Sequence, residues 1–495
     1  MIPLLSGAVD AAPESLRFRV RLDASVAETP ITGRLFVFLS QKESGQPRFG
    51  PDWFHPEPFF AADVRDFQPG ATRFIDEESD GFPGKLSTLP PGEYRVQALL
   101  HHDFYSPYPG RGVGNFFSDV AKFDLDPAAS GTVQLVLDQV VEPKSAPLPD
   151  WAREIAIRSP LLSDFHGREV IDRATVILPP SYESRPERRY PVVYIIPGFG
   201  GSHLGRQWLA LTGPREAEPG EVEFIRVMLS GQCRWGHHVY ANSAANGPRG
   251  DALVEELVPH VDENFRTVPA PTARFLTGHS SGGWSSLWLQ VTYPDHFGGV
   301  WSSAPDSVDF RDFQQVNIYA DPPLSLYVDE QGNPRPIARR GTEPILWYEP
   351  FCRMDDCLGY GGQMRSFEAV FSPTGPDGQP LKLWDRTSGR VNPQVARAWR
   401  RYDINLLLQK NWTTLAPKLQ GKLHITTGGL DTFYLNGAVE LLARTLRELG
   451  SDAQIEILPG KDHGGILAPD HIQTVRREMC ETFLRHHPRV ELPSP

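Results

Sequence analysis

Phe275-Leu276-Thr277-Gly278-His279-Ser280-Ser281-Gly282-Gly283 reads as a buried strand, a sharp turn and the first residues of a helix. An apolar run leads into Gly278-x-Ser280-x-Gly282, the spacing of a turn that holds a Ser hydroxyl exposed where a strand gives way to a helix. Glycine on either side lets strand and helix approach, because a side chain there would collide with one or the other. The pattern fixes only three positions, so its weight depends on what the rest of the chain supplies.

Outward from that turn, strands alternate with helices. Upstream, Tyr190-Pro191-Val192-Val193-Tyr194-Ile195-Ile196 is almost continuously apolar, as expected of a central strand covered on both faces, and it ends in Pro197-Gly198-Phe199-Gly200-Gly201. Glu154–Ile157, Arg173–Leu178 and Glu223–Leu229 read as further strands. Asp251 is expected to cap a helix through about Phe265, with Leu253, Leu257, Val258 and Val261 on one face. Downstream, a helix from Trp284 stops near Pro294 and Gly299–Ser303 is the next strand. From about 309 to 399 the alternation fails; this stretch, rich in Pro, Gly and aromatics, reads as a structured insertion with a hairpin around Asp329–Asn333. A helix resumes near Pro393, with Val395, Trp399, Tyr402 and Leu406 on one face. Lys422–Thr427 and Ala453–Leu458 are strands around a helix at Gly437–Leu449, and a last helix runs from Ile472 to about His486. The pattern predicts an α/β domain with a mainly parallel sheet over residues 151–495.

The first part of the chain differs. Leu16, Phe18, Val20 and Leu22 alternate with Arg17, Arg19 and Arg21; Gly33–Leu39, Tyr94–Ala98 and Val133–Leu137 add short strands between turn clusters. Residues 1–141 are therefore expected to form an all-β, sandwich-like domain, and the Pro-rich stretch 142–150 a semi-rigid linker.

Composition narrows the function. The chain has 495 residues and a net charge of −12, with no basic stretch to neutralise phosphates, so nucleic acid is not the expected partner. No run is apolar for long enough to span a membrane. Met1–Asp10 lacks the positive start and full apolar core of a signal peptide, so export is not expected from it as it stands; the compartment stays open between the cytoplasm and, for a trimmed leader, outside. Four Cys do not make a disulfide framework; Cys352 and Cys357 are open between a local bridge and free thiols. No zinc-like ligand spacing occurs, and no metal or organic cofactor is expected.

Three strand ends offer reactive groups: Ser280, Asp431 and His463. In a parallel sheet the carboxyl ends of the strands lie on one edge, so residues distant in sequence converge there. A Ser hydroxyl is a weak nucleophile and needs an adjacent base, the role of His463; Asp431 would hold the imidazole tautomer. Asp306, just after the next strand, is the rival acid; His279 and His296 are rival bases, Ser281 and Ser202 rival hydroxyls, and Asp462 reads as a turn residue. An oxyanion is expected to be held by the amide of Ser281 and by Phe199 or Gly200 in the glycine-rich loop. His279, Trp284, Trp347 and Tyr348 are candidate substrate contacts, the aromatic ones as part of a wall over the site.

Tyr190-Pro-Val-Val-Tyr-Ile-Ile-Pro-Gly-Phe-Gly-Gly, Asn246-Gly-Pro, Gly278-His-Ser-Ser-Gly-Gly, Gly429-Leu-Asp-Thr-Phe-Tyr and Gly460-Lys-Asp-His together resemble the putative esterase family of α/β-hydrolases, which groups esterase D, feruloyl esterases, mycolyltransferases and enterochelin esterases. The resemblance covers roughly residues 151–490, interrupted by the insertion. It implies an α/β-hydrolase fold, a nucleophile at Ser280, an acid at Asp431, a base at His463 and an oxyanion amide at Phe199. The expected activity is hydrolysis of carboxylic esters, small-molecule or carbohydrate-linked, through an acyl-enzyme. Acyl transfer or peptidase action on the same triad is the first alternative; a non-catalytic binding protein on this fold is the second.

Overall fold

Val192–Ile196 is buried along its whole length, and the rest of the larger unit is laid around it. The structure is a computed structural model that describes residues 16–125, 131–143, 147–205 and 221–488. The expectations for Met1–Asp10, and for residues 144–146 of the linker, lie outside those residues. The chain divides into two compact units: Met1–Lys144 with Arg353–Gly359, and Ser145–Cys352 with Tyr360–Pro495.

The second unit is built on an eight-stranded sheet. Its strands are β1 (Ala152–Arg158), β2 (Ile171–Ile177), β3 (Val192–Ile196), β4 (Ile225–Leu229), β5 (Arg274–His279), β6 (Gly299–Ser303), β7 (Leu423–Gly428) and β8 (Gln454–Leu458), in the order β1-β2-β4-β3-β5-β6-β7-β8. β1, β2 and β4 pair antiparallel, and from β4 to β8 every neighbour is parallel. After β3 the chain steps outward to β4 and then returns to the other side at β5. That reversal opens a crevice beyond the carboxyl ends of β3 and β5, where ligands of such sheets bind. Ile196 lies opposite Gly278, so Pro197–Gly201 starts level with His279 and Ser280. On one face of the sheet Val193, Ile195, Phe224, Met228, Phe275 and Trp301 pack against Met479 and Phe483 of the helix Pro469–His486.

Several local expectations change. The helix placed from Asp251 starts at Arg249; Asp251 sits in its first turn, its carboxylate accepting the Tyr293 hydroxyl at 2.6 Å. Residues Leu253–Leu257 widen into a π turn just before Pro259, which has no N–H to give. Within the insertion the turn at Asp329–Asn333 is present, but only Val328 and Pro334 bridge across it. Pro334 and Pro336 have no amide donors to extend a ladder. The paired hairpin follows instead, Pro336–Arg340 with Glu343–Trp347 around Gly341, whose φ is 60°. The helix from Pro393 stops at Trp399; a new one, Ile404–Leu419, begins where Asp403 accepts the Leu406 amide. Cys352 and Cys357 are free thiols on one helix, Tyr348–Leu358. Five residues apart on a helix they point about 140° away from each other, which no bridge can span.

The first unit holds two sheets. Thr72–Ile75, Arg17–Leu22 and Thr132–Leu137 form a three-stranded sheet, and Ile31–Ser40, Phe59–Phe67 and Gly92–His101 are the long strands of a seven-stranded one. One apolar core draws on both: Phe18, Val20 and Leu22 meet Leu35, Val37, Val96 and Leu100. The alternation with Arg17, Arg19 and Arg21 is the reason, since period-two side chains take opposite faces. The buried Arg34 guanidinium bonds Asp63 at 2.8 Å, Asp80 at 2.6 Å and the carbonyl of Cys357 at 2.8 Å, which brings Arg353–Gly359 into this unit. Among the described residues no helix is long and apolar enough to cross a membrane.

Candidate active site

Ser280 joins β5 to the helix Ser281–Thr292 with φ 60° and ψ −126°, a backbone conformation that strains a non-glycine residue by about 1–3 kcal/mol. It is held there on three sides. Its amide donates to Ser303 O at 3.0 Å, and its carbonyl accepts from Trp284 N at 3.0 Å and Asp306 N at 3.3 Å. The flanking glycines are sterically required. A Cβ on Gly278 would lie 2.2 Å from Gly282 O, and one on Gly282 would lie 2.0 Å from Ile196 O. Gly282→Ala is therefore expected to destabilise the protein by about 3 kcal/mol or more. A thermal unfolding midpoint equal to that of the parent protein would contradict the close approach of helix and β3.

The loops after β7 and β8 are zipped together: Gly429 N donates to Leu458 O at 2.8 Å and Leu430 N to Lys461 O at 2.9 Å. This places Asp431 and His463 side by side. His463 Nδ1 and Asp431 Oδ2 are 2.7 Å apart, with the carboxylate fully buried. The other oxygen, Oδ1, accepts Phe433 N at 2.9 Å and Leu435 N at 3.3 Å. An acceptor carboxylate on Nδ1 puts the ring proton there and leaves Nε2 with a free lone pair. The His463 ring lies 4.5 Å from that of His279, the residue before Ser280, and 5.0 Å edge-on from Phe433. Burial, and then the neighbouring His463, push the His279 imidazole down to about 3, so it stays neutral.

The loop after β3 closes over the turn. A Cβ on Gly198 would stand 3.2 Å from Ser280 Cβ, so the backbone passes directly against the nucleophile candidate. Gly201 N donates to Gly198 O at 3.0 Å and Gly200 has φ 79°, which makes Gly198–Gly201 a type II turn with Phe199 and Gly200 at its centre.

Asp306 is close but differently engaged. Its Oδ2 accepts the Ser281 hydroxyl at 2.6 Å, and burial lifts its pKa to about 6 against that hydrogen bond. Ser281 Oγ also receives Gln363 Nε2 at 3.3 Å, a contact from the insertion that nothing in the local sequence announces. Asp462 Oδ1 accepts Gly465 N at 2.6 Å, closing the turn that contains His463. His296 precedes β6, at the opposite edge of the sheet, and Ser202 opens the next turn, its carbonyl accepting Gly205 N. Two aromatic expectations are corrected. Trp284 is fully buried, stacked at 5.2 Å on Trp288 and 5.1 Å from Phe371; residues four apart share the helix face that enters the core. Tyr348 is also fully buried, its hydroxyl donating to the carbonyls of Phe313 and Gln314. Trp347 stands 40% exposed on the hairpin. Arg339, from the insertion, clasps the loop that carries Asp431. Its Nε donates to Asp431 O at 2.9 Å, its Nη2 to Asn436 Oδ1 at 3.1 Å, and its guanidinium lies over the Tyr434 ring. Among the described residues no group of three or more His, Cys, Asp or Glu is arranged to hold a metal ion.

Residues 172–464, more than half of the chain, match the model of the family described as "Putative esterase". Esterases from two strains of Mycobacterium tuberculosis are each 29% identical over 150 residues, 30% of this chain and 32% of theirs. The chain thus spans about a third of the length of the curated relatives it matches. Among solved structures, a ferulic acid esterase superposes with a TM-score of 0.41 at 14% identity, over 67% of this chain and 98% of that one. An S-formylglutathione hydrolase from Agrobacterium tumefaciens does so with 0.39 at 15%, over 69% and 95%.

Proposed function

Because the chain belongs to the putative esterase family, we propose that it is a serine esterase whose second unit is an α/β-hydrolase domain with a mainly parallel sheet. Its first unit is a sandwich-like accessory domain. Ser280 is the nucleophile, His463 the base and Asp431 the acid that orients it. The observation that carries this reading is the strained Ser280 at the switch point of the sheet, with the bonded His463–Asp431 pair at neighbouring strand ends.

In the first half-reaction Ser280 Oγ bonds to the ester carbonyl carbon while His463 Nε2 takes its proton. The carbonyl oxygen becomes an oxyanion, held by the Ser281 amide and by amides of the Phe199–Gly200 turn. As the C–O bond breaks, His463 returns the proton to the departing alkoxide. Water then repeats the sequence on the acyl-enzyme, and Ser280 regains its proton through His463. The substrate class is a small-molecule or carbohydrate-linked ester.

The test is a panel of p-nitrophenyl acetate, p-nitrophenyl butyrate and methyl ferulate, read together with uptake of a fluorophosphonate. Saturable turnover of at least one ester and one-to-one labelling are expected. Folded protein that turns over none and takes no label would leave a non-catalytic binding protein. The same acyl-enzyme serves acyl transfer, which is distinguished by adding a competing alcohol: an ester product formed in preference to the free acid would make the protein a transferase.

A further inference from the structure

The oxyanion turn is gripped from behind by a short hairpin that no step above uses. Gln232–Cys233 and Gly236–His237 pair antiparallel, with Gln232 opposite His237. The His237 imidazole is buried and has no room to turn: a Cβ on Gly231 would lie 2.0 Å from its Nε2. Its Nδ1 accepts the Val239 amide at 3.0 Å. That leaves the ring proton on Nε2, which donates to Pro197 O at 3.0 Å. Burial pushes His237 down to about 4, so the ring keeps this neutral, single-tautomer form at neutral pH. From the other strand Gln232 Nε2 donates to Gly200 O at 2.9 Å.

A peptide unit is planar and trans, so fixing where a carbonyl points fixes the N–H on its far side. His237 on Pro197 O sets the Gly198 amide. Gln232 on Gly200 O sets the Gly201 amide, which closes the turn on Gly198 O and thereby sets the peptide that carries the Phe199 amide. The central peptide of the type II turn, Phe199–Gly200, is thus flanked on one side by the peptide that Gln232 holds, and His237 holds the peptide that leads into the turn.

We propose that His237 and Gln232 are positioning residues for the oxyanion hole, holding the Phe199–Gly200 turn in the orientation that stabilises the tetrahedral intermediate. The inference rests on the esterase reading. Gln232→Met and His237→Leu remove the donors, and His237→Gln keeps one at the Nε2 position. The two former variants are expected to lower kcat by about 10- to 100-fold with KM little changed, since the donors act on charge that develops only in the transition state. Affinity for an alkyl boronic acid, whose serine adduct mimics that intermediate, is expected to fall by a like factor, and His237→Gln to recover most of both. Gln232 is part-exposed, so its variant carries the test if His237→Leu fails to fold. Unchanged kcat and boronate affinity in folded Gln232→Met, or a loss confined to KM, overturns the inference alone. A wild-type protein that takes no fluorophosphonate overturns the esterase reading and this inference with it.

Discussion

Ser280→Ala is expected to abolish fluorophosphonate labelling and to lower ester turnover by about 10⁴- to 10⁶-fold, the scale on which removal of a triad nucleophile acts. The fold should survive, because the strained turn is held by backbone bonds to Ser303, Trp284 and Asp306 rather than by the hydroxyl. Alanine at φ 60° also retains the strain that serine carries, so the unfolding midpoint should move little. Residual turnover is expected to come from the oxyanion amides and from substrate binding. If labelling persists in Ser280→Ala, another hydroxyl is the nucleophile, and Ser281 is the nearest.

The two carboxylates near His463 should separate cleanly. Asp431→Asn is expected to lower kcat by about 10⁴-fold, because an amide in place of Oδ2 no longer holds the imidazole in the tautomer that leaves Nε2 basic. Asp306→Asn is expected to keep near-parental turnover, since its bond is to Ser281 Oγ. Its signature is in stability. The Asp306 carboxyl, raised from 3.8 to about 6, binds its proton more tightly folded than unfolded. The stability tied to that proton is full below the unfolded pKa and is lost as pH rises through about 6. The parental unfolding midpoint should therefore fall, relative to Asp306→Asn, between about pH 4 and pH 6. Loss of turnover in Asp306→Asn with Asp431→Asn active would reverse the two assignments.

Much of the scaffold is legible in the sequence because sheet strands carry their burial as pattern. Val192–Ile196 is apolar throughout and buried throughout, and Phe18, Val20 and Leu22 alternate and take one face. The strand ends bearing Ser280, Asp431 and His463 follow from the same pattern. What resists reading is whatever depends on partners far along the chain. Gln232 and His237 look like ordinary loop residues until the carbonyls of Pro197 and Gly200 are seen beneath them. Trp284 is a different lesson: its stacking with Trp288 is a helical repeat, visible in the sequence, that outranks an aromatic's attraction to a substrate. In the insertion, Pro334 and Pro336 shift the hairpin to Gly341, because ladder formation needs donors that an outline of turn residues does not count.

Arg339 gives the insertion a meaning of another kind. A block of chain grafted between β6 and β7 could be exchanged among relatives as freely as any surface loop if it only covered the site. Its hairpin instead clasps the backbone of Asp431, so the block and the loop after β7 are one mechanical piece. Replacing the block would remove the Arg339 donor from the Asp431 carbonyl in the same stroke. The insertion is thus a structural part of the strand-end loop that carries Asp431, not a cover laid over it.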